Sequence, residues 1–384
     1  MKKLRVMTVF GTRPEAIKMA PLVNELKKCS QIETIVCVTA QHRQMLDQVL
    51  GMFNIDADYD LDIMKDKQTL IDITTRALEG LSVILDKAKP DIVLVHGDTT
   101  TTFVGSLAAF YKKISVGHVE AGLRTYDKYF PYPEEINRRL TGVISDLHFA
   151  PTVTNRDNLV REGVDESKIY ITGNTVIDAI KTTVAENYNF ANESLGKLDF
   201  GKRIITVTAH RRENLGEPLR NICEALKHIA DCFSDVQIVY PVHLNPAVQE
   251  VAKEVLGSHK RVHLIDPLDV QDMHNLMARS YLIMTDSGGL QEEAPSLGKP
   301  VLVLRNETER PEAVKAGTVK LAGTERENII RLTEELLINE KEYDKMAKAV
   351  NPYGDGFASE RIVKALLFEF GLSKTKPEGF SVKI

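Results

Sequence analysis

The feature that most constrains this chain is an alternation. Short apolar runs rich in Val and Ile recur, most of them followed by a longer segment with helical spacing. Strands are predicted at Arg5–Phe10, Thr34–Thr39, Ile92–His96, Ile114–His118 and Leu147–Ala150. A second set follows at Ile204–Thr208, Gln237–Pro241, Val262–Ile265, Leu282–Thr285 and Val301–Leu304. Helices are predicted between most of these, such as Glu15–Cys29 and Leu219–Phe233, with a closing group at Glu325–Ile338, Glu340–Val350 and Ser359–Phe370. This is the pattern of βαβ units and parallel sheets. The strands are apolar along nearly their whole length, as a sheet covered by helices on both faces requires.

At 384 residues the chain exceeds the roughly 250–300 residues at which single cores stop growing, so two domains are expected. The most loop-like long segment is Asn187–Lys202, and the boundary is placed within Thr172–Lys202. The fold class expected is α/β, with two Rossmann-like doubly wound domains, residues 1–172 and 173–358. Such domains bind ligands at the carboxyl ends of their strands.

The composition, 43% hydrophobic and 27% charged, is that of a globular protein. Net charge is −5 with no basic stripe, which argues against nucleic acid as a partner. The apolar start, Leu4 to Phe10, is too short for a signal peptide and is broken by Gly11-Thr12-Arg13-Pro14-Glu15, so it reads as a buried strand. No apolar run approaches the roughly 18 residues of a membrane span, so no membrane insertion is expected. Cys29, Cys37, Cys223 and Cys232 show no CxxC spacing; neither structural zinc nor a disulfide framework is expected, and the cytoplasm is the compartment implied.

Unusual polar clusters sit just after predicted strands. In Gly11-Thr12-Arg13-Pro14-Glu15-Ala16-Ile17-Lys18 a glycine turn leads into a helix whose first amides suit a phosphate, with Arg13 and Lys18 as cations; the plain alternative is a capped helix. Asp98, in His96-Gly97-Asp98-Thr99, ends a strand and either serves chemistry or caps the next helix. Glu120, in Gly117-His118-Val119-Glu120-Ala121-Gly122, stands where partial desolvation raises a carboxylate's pKa, unless Arg124 pairs with it. Glu134 and Glu135 open a helix, and pairs Glu134–Arg138 and Glu135–Arg139 give them a plain role. His210 and Arg211 follow the first strand of the second half and form an anion site or a solvated loop; His243 is a weaker candidate of the same kind. Ser287-Gly288-Gly289, followed by Glu292 and Glu293, opens a helix to which a diphosphate can come close, with Arg310 in reach of the same anion. Neither GxGxxG nor GxxxxGK[ST] is present, and no metal-ligand spacing is evident.

The strings GTRPEAIKMAP, HGDTTT, GHVEAGLRT, PYPEEINR, TGNTVIDA, TAHRREN and TDSGGLQEEAPSLGKP occur in this order. Together they resemble the non-hydrolysing bacterial UDP-N-acetylglucosamine 2-epimerases from about Arg5 to Arg361. The resemblance implies the two-domain GT-B fold, with a central cleft and a last helix, about 359–384, packed back on the first domain. It implies reversible conversion of UDP-GlcNAc to UDP-ManNAc without a cofactor or metal, serving cell-surface polysaccharide. By motif match, Asp98, Glu120, Glu134 and His210 are the catalytic group. Arg13, Lys18, Ser287, Gly288, Gly289, Glu293 and Arg310 are the substrate-binding residues, with His243 beside them. UDP-GlcNAc, UDP-ManNAc and UDP are the ligands implied, and a homodimer the assembly. A second UDP-GlcNAc acting as activator would meet Gln41, His42, Arg43, Gln44 and Arg211. The rival readings are a GT-B glycosyltransferase, a UDP-sugar sensor and a hydrolysing epimerase.

Overall fold

A computed structural model describes residues 2–41, 43–65 and 67–382. The chain forms two compact units. Unit 1 is Met1–Ala179 with Tyr353–Ser381, and unit 2 is chiefly Ile180–Pro352. Each has one parallel sheet, flanked by helices.

The strands of unit 1 are β1 (Leu4–Phe10), β2 (Ile32–Val38), β3 (Tyr59–Asp60), β4 (Ile92–His96), β5 (Ser115–Val119), β6 (Leu147–Ala150) and β7 (Ile169–Ile171), in the order β3-β2-β1-β4-β5-β6-β7. Those of unit 2 are β8 (Arg203–Thr208), β9 (Val236–Pro241), β10 (Val262–Ile265), β11 (Leu282–Thr285), β12 (Val301–Val303) and β13 (Val319–Leu321), in the order β10-β9-β8-β11-β12-β13. Both sheets are doubly wound: order reverses between β1 and β4, and again between β8 and β11. The loops after these strands diverge to opposite faces, leaving a crevice at their carboxyl ends.

The strands pack as their composition dictates. Val6, Phe10, Ile92, Leu94 and Val119 meet Met19, Leu22 and Leu26 of the helix Arg13–Lys28 in one core of unit 1. Met7, Val9, Val93 and Val95 point to the other face, against Leu81, Leu85 and Val104. Adjacent residues of one strand thus face opposite layers, both apolar. In unit 2, Ile205, Val207, Ile238 and Met284 pack on Leu219, Ile222, Leu226 and Ile229 of the helix Glu217–Cys232.

The units divide seven residues later than the expected 172/173, and the chain re-enters unit 1 at Tyr353 rather than at 359. The reason is a buried carboxylate. Asp178 accepts hydrogen bonds from the amides of Ala358 and Ser359, tying the helix Thr175–Thr183 to the start of the helix Ala358–Glu369. Ile362, Val363, Ala365 and Leu366 then enter the unit 1 core.

Candidate active site

The register of the first sheet brings its loops together. Val9 pairs with Val95, so the turn after β1 lies beside the turn after β4. His96 pairs with Val119, so Asp98 and Glu120 follow neighbouring strands. Gly11 makes the first turn: a Cβ there would stand 1.9 Å from Thr39 Oγ1, a distance no side chain tolerates. The helix that follows is capped by its own Glu15, whose carboxylate accepts from the amides of Gly11 and Thr12 and from the Thr99 hydroxyl at 2.7 Å. Glu15 is wholly buried, and desolvation raises its pKa against those lowering bonds.

Glu120 is the hub. It sits at φ 62°, a left-handed conformation that costs a non-glycine residue on the order of 1–2 kcal/mol. Its carboxylate accepts from Lys18 Nζ at 2.5 Å and from Asn174 Nδ2 at 2.8 Å, and His96 Nε2 lies 3.7 Å away. Arg124 is not its partner; that guanidinium pairs with Glu162 at 2.7 Å. His96 is buried, and loss of solvent pushes its pKa down to about 4, so the imidazole beside Glu120 is neutral at pH 7.

Asp98 lies next to this group. Arg138 Nη2 donates to its carboxylate at 2.6 Å. Desolvation nevertheless raises its pKa, with Glu120 adding to the rise and Arg138 opposing it. The expected helix-surface pairs do not form. Arg138 is buried and reaches Asp98 and Glu135, while Arg139 approaches Glu162. Glu135 is fully buried and accepts from the amides of Thr125 and Tyr126, so it holds the preceding loop. Glu134 keeps a solvent-shielded Oε2 without a hydrogen-bond partner among the described residues. Arg13, partly exposed at the start of the helix Arg13–Lys28, makes no ion pair among the described residues.

In unit 2 the register Thr208↔Thr285 sets the loops after β8 and β11 side by side. Asp286 joins them. Its buried Oδ2 accepts from the amides of His210 and Arg211 at 2.7 Å each and from Asn214 Nδ2 at 3.0 Å. The His210 ring stacks on His243, centroids 5.2 Å apart and 5° from parallel. Desolvation lowers the His210 pKa, Asp286 opposes the change, and His243 and Arg211 add to it. Ser287 precedes the short helix Gly288–Glu293. A Cβ at Gly288 would stand 2.8 Å from Glu309 Oε1, so glycine lets that chain come close. Arg211 meets Glu309 at 3.3 Å. Arg310 is ion-paired with the buried Glu292, and Glu293 lies 3.3 Å from His274 Nε2.

Of the remaining sequence candidates, Gln41 lies near Thr101, its Oε1 3.4 Å from the hydroxyl. Gln44 is exposed on the helix Arg43–Met52, where Arg43 pairs with Asp47 and Asp60. His42 lies outside the described residues. Sequence reasoning did not single out Asn174, Arg138 as a partner of Asp98, or Asp286. Asn174 and Asp286 lie inside the quoted strings TGNTVIDA and TDSGGLQEE, and that placement is the only signal they carried.

Comparison with known proteins decides what these loops belong to. The family model described as UDP-N-acetylglucosamine 2-epimerase matches residues 24–367. The chain belongs to the UDP-N-acetylglucosamine 2-epimerase family. The Bacillus subtilis UDP-N-acetylglucosamine 2-epimerase is 61% identical over 384 residues, covering 100% of both chains. Among solved structures, S. aureus MnaA with UDP has TM-score 0.88 at 52% identity, covering 99% of this chain and 100% of that one. The Neisseria meningitidis UDP-GlcNAc 2-epimerase bound to UDP-GlcNAc has TM-score 0.85 at 53% identity, covering 95% and 100%. Family members are isomerases of the GT-B type, and this chain has their two Rossmann-like sheets. No helix among the described residues is long and apolar enough to cross a membrane.

Proposed function

We propose that the family reaction, reversible epimerisation of UDP-N-acetylglucosamine at C2 to UDP-N-acetylmannosamine, runs in this chain by anti-elimination and re-addition of UDP. The hydrogen at C2 is not beside a carbonyl, so an enolate is not available. A base takes the C2 proton while the C1–O bond breaks and its electron pair leaves with UDP. The product, 2-acetamidoglucal, has a C1–C2 double bond. The diphosphate oxygen then re-adds at C1 as a proton reaches the other face of C2.

The observation that carries this reading is the pair of unlike carboxylates at the crevice of unit 1. Asp98, with its pKa raised by desolvation, is suited to hold a proton; Glu120 is bound to a cation and an amide donor. Glu134, whose Oε2 has no hydrogen-bond partner among the described residues, is the third group for proton transfer. For the departing diphosphate, Arg13, His210 and the amides of the Ser287–Gly289 turn supply positive charge and hydrogen bonds, with Lys18, Glu293, Arg310 and His243 as further substrate contacts. The test uses UDP-GlcNAc alone, followed by proton NMR. The expected result is UDP-ManNAc with deuterium at C2 in D2O, and bridging C1–18O scrambled into non-bridging positions. Retention of both the C2 hydrogen and the bridging label would sink the mechanism. Free ManNAc with UDP would mark a hydrolysing enzyme, and binding without turnover a sensor.

Three finer points belong to this proposal. A homodimer is supported by Ile136, Leu140 and Val143, exposed at i, i+4 and i+7 on the helix Glu134–Ile144. Four free thiols support a cytoplasmic location, where a cell-surface polysaccharide precursor would be made. A second UDP-GlcNAc as activator, touching Gln41, Gln44, Arg211 or His243, predicts that UDP-ManNAc alone turns over poorly until some UDP-GlcNAc is added.

A further inference from the structure

The helix Glu217–Cys232 starts near the carboxyl end of β8 and runs back toward the amino end of β9. Its last turn therefore lies at the edge of the second sheet opposite the loops that carry His210 and Ser287. There His228 and Cys232, four residues apart on one helical face, meet Glu334 of the helix Arg326–Ile338. His228 Nε2 is 3.5 Å from Cys232 Sγ and 3.6 Å from Glu334 Oε1. One donor atom from each of the three lies within 4.8 Å of the others.

Those separations match a coordination shell. Tetrahedral zinc, with bonds of about 2.0–2.3 Å, holds neighbouring donors roughly 3.3–3.6 Å apart. Thiolate sulfur, imidazole nitrogen and carboxylate oxygen together form a donor set that borderline divalent ions accept. Cys232 is exposed and the other two are partly exposed, so an ion has access and water can complete the shell. The adjoining groove carries Glu224, Asp231, Glu325 and Glu327 against Lys227 and Arg326, an excess of carboxylates that favours a cation. Spacing along the chain hides the trio because Glu334 comes from a distant helix.

We propose that His228, Cys232 and Glu334 form a binding site for a zinc-class divalent cation, separate from the loops that serve the family reaction. On binding, the Cys232 S–H bond breaks, its proton passes to solvent, and the thiolate joins neutral His228 and ionised Glu334 on the metal. The ion ties the last turn of the helix Glu217–Cys232 to the helix Arg326–Ile338, and because it needs the folded arrangement it stabilises the native chain by mass action.

The test titrates the full-length, metal-free chain with Co2+ and then displaces the cobalt with Zn2+. One Co2+ per chain is expected, with a near-ultraviolet thiolate-to-cobalt band that zinc abolishes. Cys232→Ser should remove the band, while Cys29→Ser, altering the other partly accessible thiol, should leave it. His228→Ala and Glu334→Gln should weaken zinc binding by at least the roughly tenfold lost on changing a metal site's outer partners. Zinc should raise the melting temperature of the parent and leave that of Cys232→Ser unmoved, with epimerase activity alike in both and circular dichroism reporting the fold. No band at one equivalent of cobalt, or a band that survives in Cys232→Ser, would overturn the proposal and leave the trio as surface hydrogen bonds.

Discussion

The two units share a strand order over six strands, to which unit 1 adds β7 at one edge, yet the chemistry at their crevices differs. In unit 1 the loops after β1, β4 and β5 collect carboxylates around one lysine, with neutral, buried histidines beneath. In unit 2 the corresponding loops, after β8, β11 and β12, collect His210, glycine amides and arginines, and the loop after β9 adds His243, which stacks on His210. Even the carboxylates play different parts. Asp286 spends an oxygen on two loop amides and an asparagine, so it shapes the chain; Asp98 meets one arginine side chain and is held toward its protonated form. On the reading proposed above, one topology serves proton transfer in one place and anion binding in another, because a doubly wound sheet fixes where loops go and leaves open what they carry.

The sharpest way to break this comparison is to neutralise the acids. Asp98→Asn, Glu120→Gln and Glu134→Gln should each lower kcat by at least ~10²-fold, the usual scale of acid–base catalysis, while calorimetric UDP affinity changes little. If these variants instead lost UDP binding and kept their rate, the division of labour would be reversed.

Next comes the anion side. Arg310→Ala should weaken UDP binding by about 1.5–3 kcal/mol, the range of a charge-assisted hydrogen bond, with a smaller effect on the chemical step. The structure adds a second expectation. Removing Arg310 takes a cation from the buried Glu292, so adding Glu292→Gln to Arg310→Ala should recover part of the thermal stability but not the UDP affinity. Unchanged affinity in Arg310→Ala would remove this residue from the site.

Acid acts on unit 1 through its buried histidines. His96, His118 and His148 are buried in unit 1, and desolvation lowers all three, to about 4, about 3 and about 4. Their folded pKa values lie below the unfolded value of 6.5, so the stability they allow is intact above pH 6.5 and lost as pH falls through that value toward the folded ones. The raised pKa values of Glu15 and Asp98 act the other way, favouring the fold as they protonate. His118→Asn isolates one contribution: below pH 6.5 its stability should fall with pH less steeply than the parent's, by up to about 1.4 kcal/mol per pH unit. Parallel curves from chemical denaturation at several pH values would show that His118 is not the group that titrates.

The smallest effect concerns the histidine stack. His243→Ala should cost on the order of 0.5–1.5 kcal/mol of the interaction that orients His210. A matching loss in kcat/KM, with the fold intact by circular dichroism, would place the stack in service of the reaction; no change would make His243 a bystander.

By itself the sequence determined the α/β class, the parallel sheets and the position of nearly every long strand, because a strand buried on both faces must be apolar along its length. Ile92–His96, Leu147–Ala150, Val262–Ile265 and Leu282–Thr285 begin and end in the structure where their pattern places them. The short strands Tyr59–Asp60, Ile169–Ile171 and Val319–Leu321 escaped, since each is an edge strand with one neighbour and too few residues for a period. The motif loops were legible as well, because glycine and charge after an apolar strand have few other reasons to recur. Only the tertiary structure decided who pairs with whom. Spacing on a helix allowed Glu134–Arg138, yet packing turned Arg138 inward to Asp98 across 40 residues of chain, and brought Lys18 and Asn174 to Glu120 across 102 and 54. Such partners are set by strand register and by which helix face is buried, and both depend on the whole sheet rather than on any segment of it.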